Sequence, residues 1–294
     1  MKLLIIGANG QVGRSLCDLC DAQSIEYIST TRETLDVSNI NDIKKFFDNL
    51  SVDFVVNSTA YTNVEKAEDE PDMANLVNAT SLGWLAAECK SKDIPLIHIS
   101  TDYVFDGEKE GMYLEDDTTN PINVYGQSKL DGENVLSNTY DKHIIIRVSW
   151  VFSEYGNNFV KTMLKLSRSH EKLTVISDQY SSPTSAKSIA NVIMNVCENI
   201  CSKTDFKDWG IYNYTDFPVS TWHQFATYVI QKNKSAVTKS IQPILARQFP
   251  VKASRPKNSA MYCGKIKEVF GVHQHSWIDN VDCIMKKLGY KDEL

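Results

Sequence analysis

Lys2-Leu3-Leu4-Ile5-Ile6-Gly7-Ala8-Asn9-Gly10-Gln11-Val12-Gly13 is an apolar run of strand length broken by three glycines. It passes without interruption into a helical pattern through Leu16 and Leu19. Strand, glycine turn and helix in that order form the context of a dinucleotide fingerprint. Gly7, Gly10 and Gly13 serve a tight turn, close approach of backbone to a pyrophosphate, and packing of helix on strand. The helix N-terminus then directs N–H groups at the phosphates. The spacing is GxxGxxG rather than GxGxxG, so its position behind a strand carries more weight than the pattern itself.

Working outward, 25–29 reads as a second strand, and its end bears on the choice between NAD and NADP. An acid there would bind a ribose 2′-hydroxyl and repel a 2′-phosphate. The chain has Ser29-Thr30-Thr31-Arg32, with no acid before Glu33. Thr31 and Arg32 therefore favour NADPH, with NADH as the other possibility; the plainer meaning of Arg32 is an exposed loop residue. Asp36 of Leu35-Asp36-Val37 is placed to meet the adenine edge. A helix over 41–50 and a strand over 53–57 follow. Asn57-Ser58-Thr59-Ala60-Tyr61-Thr62 leaves that strand at its C-terminal end, where open α/β sheets bind ligands, so Ala60 and Tyr61 lie along the cofactor. The next helical pattern covers 72–92.

A fourth strand over 94–99 contains Leu96-Ile97-His98-Ile99 and closes with Ser100-Thr101-Asp102-Tyr103. Beyond a polar connection, Tyr125-Gly126-Gln127-Ser128-Lys129 opens a helix, with Tyr125 and Lys129 one turn apart on one face. Taken alone, such a pair is more often an exposed Lys covering a half-buried Tyr. A preceding dinucleotide site and an intervening strand ending in Ser/Thr reverse those odds. An ammonium beside a phenol favours the phenolate and lowers its pKa from about 10. Tyr125 is then a proton donor for a carbonyl oxygen near neutral pH, with the Thr101 hydroxyl as its neighbour.

A strand over 143–147, ending in Val148-Ser149-Trp150, completes a βαβαβαβαβ order and predicts a Rossmann-like doubly wound parallel sheet. After Trp150 the pattern loosens into helices over 158–166, 185–200 and 221–231, short strands over 173–176 and 210–214, and a short helix ending at 270. The division expected is an NAD(P)-binding domain over 1–152 and a smaller α/β domain over 153–294 that mainly holds substrate. Part of 170–200 is the segment that can return to the first domain.

Composition sets the outer bounds. With 42% hydrophobic and 23% charged residues in 294, the chain describes an ordinary globular protein. A net charge of −6 offers no attraction for nucleic acid or an anionic membrane. No signal-peptide pattern opens the chain and no run reaches membrane-span length, so a cytoplasmic protein is expected. The seven cysteines then read as reduced thiols. Cys17 and Cys20 share a helix face and find no second pair at zinc-site spacing, so no metal site is expected. Lys291-Asp292-Glu293-Leu294 matches an ER-retention tetrapeptide, which is a coincidence in a chain without an entry signal.

The ordered blocks GANGQVG, STDYVFDG, YGQSK and SWVF resemble the extended short-chain dehydrogenase/reductases. Asn157-Asn158-Phe159, Lys161-Thr162-Met163-Leu164, Asp178-Gln179-Tyr180 with Pro183-Thr184, and Arg255-Pro256 with Asn258-Ser259 narrow the resemblance to the dTDP-4-dehydrorhamnose reductase family. It runs nearly end to end. It implies NADPH-dependent reduction of the C4 keto group of a nucleotide sugar, with Thr101, Tyr125 and Lys129 as the catalytic set. It places Gly10, Gln11 and Val12 at the pyrophosphate and Asp36 with Val37 at the adenine. Ala60, Tyr61 and Thr62 fall beside the nicotinamide, and Asp102, Trp150 and Arg255 at the sugar along with Thr101 and Tyr125. Three departures matter, the first that a relative carries an acid at the end of the second strand where this chain has Thr30, which bears on cofactor choice. Relatives that bridge subunits through magnesium use glutamates where this chain has Ser15 and Lys187, so a monomer or a dimer without a metal bridge is expected. Ser181 stands in place of a glycine, which puts the local loop geometry in question. Two alternatives stay open: a reductase of another nucleotide-linked 4-keto-6-deoxy sugar, and a non-catalytic regulatory subunit resembling the methionine adenosyltransferase β subunit.

Overall fold

The computed structural model describes residues 1–290, so the tetrapeptide at 291–294 lies outside the described residues. The chain enters its sheet with β1 (Lys2–Ile6), whose residues Leu3 to Ile6 are all buried. Successive side chains of a strand point to opposite faces, and both faces here are covered. Leu3 and Ile5 enter one apolar cluster with Val12 and Leu16 of α1 (Gln11–Gln23). Leu4 and Ile6 enter a second with Ile43 and Phe47 of α2 (Ile40–Phe47). An uninterrupted apolar run is what a strand between two helical layers requires.

β2 (Glu26–Thr30) and β3 (Phe54–Asn57) flank β1, and β4 (Leu96–Thr101) and β5 (His143–Val148) continue outward from β3, every pairing parallel. The expected helix over 72–92 is divided. After α3 (Val64–Ala67), α4 (Pro71–Asn75) runs into a single π-turn at Leu76–Thr80 before α5 (Ser81–Ser91). The π-turn has a tertiary cause. Asn78 within it accepts from the Tyr61 N–H at 2.8 Å and donates to Ser128 Oγ at 2.9 Å. Its carbonyl is pressed against Gly132 of α6 (Val124–Thr139), where a Cβ would stand 2.2 Å from that oxygen.

The second half supplies β6 (Val151–Phe152), α7 (Phe159–Ser167), β7 (Lys172–Ile176), β8 (Tyr180–Ser181), β9 (Thr184–Ser185), α8 (Ala186–Ser202) and β10 (Gly210–Asn213). Then come β11 (Ser220–Thr221), α9 (Trp222–Gln231), β12 (Ser240–Ile244), α10 (Gly264–Phe270) and α11 (Trp277–Lys287). α7, α9 and α11 pack around Phe225 and Trp277 beside the parallel pair β7 and β12. β10, expected in the second domain, instead joins β5 and makes the sixth strand of the parallel sheet, in the order β10-β5-β4-β3-β1-β2. α8 joins the same layer as α1. It buries Ile189, Val192, Ile193, Val196, Cys197 and Ile200, an apolar surface that needs cover along its whole length. The sheet order reverses beside β1, and the C-terminal strand ends there open into the principal cleft.

Candidate active site

The cleft encloses about 980 Å³ and runs from the glycine turn after β1 to the aromatic residues after β5. At its first end Gly7 has φ +86°, a conformation open to glycine, and a Cβ there would meet Thr59 at 2.8 Å. No side chain caps α1 at Gly10, so its first-turn N–H groups are directed into the cleft that Gly7, Gly10, Gln11 and Val12 line. Gly13 stays outside the lining. A Cβ on it would stand 2.3 Å from the Gly7 carbonyl, so it packs helix on turn. The Gln11 side chain turns away and accepts from Ser153 Oγ at 2.8 Å and Asn158 Nδ2 at 2.9 Å. A pyrophosphate therefore meets backbone here, the donor set that a dinucleotide needs.

Thr31, Arg32, Asp36 and Val37 line the same end. Arg32 is largely exposed, with its Nε 3.9 Å from Asp36 Oδ2. Asp36 accepts from the Ser38 hydroxyl at 2.7 Å and its N–H at 3.0 Å, and the hydroxyl bond chiefly holds its carboxyl below the usual value. Ala60, Tyr61 and Thr62 line the middle. Asn78 clamps the Tyr61 backbone from the π-turn, and the Tyr61 hydroxyl donates to Glu70 at 2.8 Å.

Thr101, Asp102, Tyr125 and Lys129 line the same cleft as the glycine turn. Asn123 caps α6 by accepting from the Gly126 N–H at 2.7 Å. Gly126 lies so close to the Tyr103 carbonyl that a Cβ would stand 2.2 Å from it. That approach holds the Tyr125 turn against the end of β4, with the Tyr103 and Tyr125 rings edge to face at 5.8 Å. Asp102 is buried, accepting from Ser259 Oγ at 2.6 Å, Thr101 Oγ1 at 3.1 Å and Ser181 Oγ at 3.4 Å. Burial pushes its carboxyl up to about 7 against those bonds. Ser181 thus sits in β8 as a partner of Asp102, and its backbone has no positive φ that would call for glycine.

The electrostatics of the pair differ from the expectation. Desolvation pushes the Tyr125 phenol up to about 12, opposed by the Thr101 hydroxyl, with Asp102 raising it further. The Lys129 Nζ is instead drawn back to the Ile99 carbonyl at 2.7 Å and His98 Nε2 at 2.9 Å. Burial lowers Lys129 to about 8, with Glu133 opposing. Glu133 is itself held by Arg147, whose Nη2 lies 2.6 Å from Oε2. Arg255 differs as well. Its guanidinium is committed to Glu65 of α3 at 2.8 Å, and it does not line the cleft.

Trp150 stands at the far end with φ +44°, a conformation a bulky residue keeps only when its surroundings enforce it. Trp222, at the start of α9, stacks on it and lines the cleft. Sequence reasoning missed Trp222; its one local signal is the Thr221 cap that starts the helix there.

The cleft thus joins backbone donors for a pyrophosphate to a hydroxyl, a phenol and an amine. The profile described as RmlD substrate binding domain matches residues 1–289. The chain belongs to the RmlD family. Its members include the dTDP-4-dehydrorhamnose reductase of Aggregatibacter actinomycetemcomitans, which is 37% identical over 94% of this chain and 95% of its own length. That of Escherichia coli K12 is 34% identical over 98% of each. Among solved RmlD-family structures, one from Clostridium acetobutylicum superposes with a TM-score of 0.91 at 34% identity, covering 98% of this chain and 100% of its own. The Bacillus anthracis structure, solved in complex with NADP, gives a TM-score of 0.90 at 28% identity, covering 97% and 99%.

Proposed function

We propose that this chain is a dTDP-4-dehydrorhamnose reductase, which reduces the C4 keto group of dTDP-4-dehydro-L-rhamnose to give dTDP-L-rhamnose with NADPH. The observation that carries the reading is that Thr101, Tyr125 and Lys129 line one cleft together with the glycine turn. The cofactor would be held by Gly7, Gly10, Gln11 and Val12 at the pyrophosphate, Asp36 and Val37 at the adenine, and Thr31 with Arg32 at the 2′-phosphate. Ala60, Tyr61 and Thr62 would take its nicotinamide side. Bound there, it supplies the hydride for C4.

The side chains do the remaining work. Tyr125 holds the proton for the carbonyl oxygen, and its upward-shifted phenol keeps that proton until charge develops on the oxygen. Thr101 supplies a second hydroxyl within reach of the same oxygen. The Lys129 ammonium, once clear of its buried seat, steadies the phenolate left on Tyr125 and the nicotinamide ribose. General acid catalysis of this kind is worth about 10²–10⁴-fold, and positioning supplies much of the rest. Trp150 and Trp222 give an apolar wall for a pyranose face, with Asp102 beside it.

Among the described residues no helix is long and apolar enough to cross a membrane, and the seven cysteines are unpaired. We place the enzyme in the cytoplasm, as a monomer or as a homodimer without a metal bridge. The test is incubation of the protein and NADPH with dTDP- and UDP-linked 4-keto-6-deoxy sugars, with products resolved by NMR. Formation of dTDP-L-rhamnose is expected. Turnover of the UDP sugar alone would assign a different substrate, and binding without turnover of either would leave a regulatory subunit.

A further inference from the structure

Behind the cleft wall, a chain of buried polar groups that the proposed mechanism does not use ends on the Lys129 amine. Asn57 Oδ1 accepts from the Thr59 N–H at 3.1 Å and from the Thr59 hydroxyl at 2.6 Å. Those two bonds set the orientation of the amide and turn its NH2 toward His98 Nδ1 at 3.2 Å. An amide NH2 offers only donors, so Nδ1 must accept and the proton of a neutral His98 ring lies on Nε2. Nε2 is 2.9 Å from Lys129 Nζ, which is also 2.7 Å from the Ile99 carbonyl. With that tautomer the amine accepts from His98 while donating to Ile99, and only a neutral amine has the lone pair to do so. An ammonium in the same seat would set N–H against N–H between two side chains that are each 1% exposed.

We propose that Asn57 and His98 form a tautomer lock on Lys129, in which the His98 Nε2–H seats the neutral amine against β4 and protonation of the amine releases it toward Tyr125 and the nicotinamide ribose. This rests on the catalytic reading of Thr101, Tyr125 and Lys129, and it makes His98 a positioning residue that touches neither substrate nor cofactor. The surroundings agree. Burial chiefly holds His98 well below the ordinary imidazole value, against the Asn57 backbone, which raises it. The titratable groups around the pair are Glu133 on α6, which acts on Lys129, and His143 on β5, which acts on His98. Glu133 is taken up by Arg147 and Ser100, and burial lowers His143 too. Tyr125 and Asp102 line the cleft together with Lys129.

The test pairs a direct measurement with a variant. In protein carrying 15N-labelled histidine, the His98 ring should give the pattern of a neutral Nε2–H tautomer at pH 7 without added nucleotide. An Nδ1–H tautomer or an imidazolium would overturn the lock, whatever any variant does. Asn57→Asp keeps an acceptor for Thr59 and presents a second one to Nδ1, so the tautomer should reverse and Nε2 should accept from the ammonium. The basic limb of the kcat/KM profile should then move up by about one pH unit. A folded variant with an unmoved limb would overturn the proposal. Lys129→Met separates the two readings. If that variant keeps wild-type turnover, the catalytic assignment fails; if it is impaired while His98 shows the wrong tautomer, the lock alone fails.

Discussion

Trp150 and Trp222 stack with ring centroids 3.6 Å apart and planes inclined by 14°. One follows β5 of the parallel sheet and the other begins α9, some 70 residues later in the chain, so a single aromatic wall joins the two segments at the cleft. Trp222→Ala should lower stability by about 2 kcal/mol, through lost packing and the lost ring pair. It should also raise KM for the nucleotide sugar several-fold while leaving KM for NADPH within about twofold. Equal effects on both KM values would reduce Trp222 to a structural role.

Tyr125→Phe removes the transferable proton and little else, so kcat should fall about 10²-fold or more with NADPH binding retained. Near wild-type turnover would end its assignment as proton donor. Lys129→Met should lower kcat and weaken NADPH binding together, since one ammonium serves both.

Cofactor choice is testable at two residues in opposite surroundings. The Arg32 side chain is 80% exposed and able to reach a phosphate, whereas Thr30 is 1% exposed with its hydroxyl buried. Arg32→Ala should reduce kcat/KM for NADPH about tenfold and leave NADH nearly unchanged. Adding Thr30→Asp should shift preference toward NADH by offering a partner to the 2′-hydroxyl. Because that carboxylate would be buried, the double variant should also melt earlier. A wild-type preference for NADH would show that Ser29 to Arg32 do not select the phosphate.

Asp102 makes stability depend on pH. Its carboxyl titrates near 7 rather than 3.8, so the folded state holds that proton more tightly than the unfolded chain. Its contribution is present in full below pH 3.8 and is lost as pH rises toward 7. Relative to Asp102→Asn, the wild type should lose about 1.4 kcal/mol per pH unit across this window and no more above it. Urea unfolding of both proteins from pH 4.5 to 8.5 measures the difference, and a flat difference would mean that Asp102 ionises normally.

Chelation should leave both activity and oligomeric state untouched. Ser15 is a buried neutral side chain of α1 and Lys187 is a cation, while Mg²⁺ gives up water mainly for anionic oxygens. Sedimentation with and without EDTA checks this; a dimer that dissociates on chelation would point to carboxylates elsewhere, with Asp18 the first to replace.

The sequence by itself determined the parallel sheet and the glycine turn, and it pointed to Thr101, Tyr125 and Lys129 as the proposed catalytic set. Each of these is written in local periodicity: an apolar run covered on both faces, glycines at a strand end, two side chains one helical turn apart. Only the tertiary structure decided where β10 goes, because a four-residue strand carries no record of which sheet edge is free. It alone brought Trp222 onto Trp150, Ser259 and Ser181 onto Asp102, and Arg255 onto Glu65, contacts between residues some 70 to 190 positions apart. It also decided the state of the proposed catalytic pair. Helical spacing places Lys129 on the face of Tyr125, but the direction its amine takes depends on the Ile99 carbonyl and on His98, whose ring is oriented by Asn57 on the neighbouring strand. Hydrogen-bond partners in a buried site are set by packing between elements, and no local pattern in the chain encodes that.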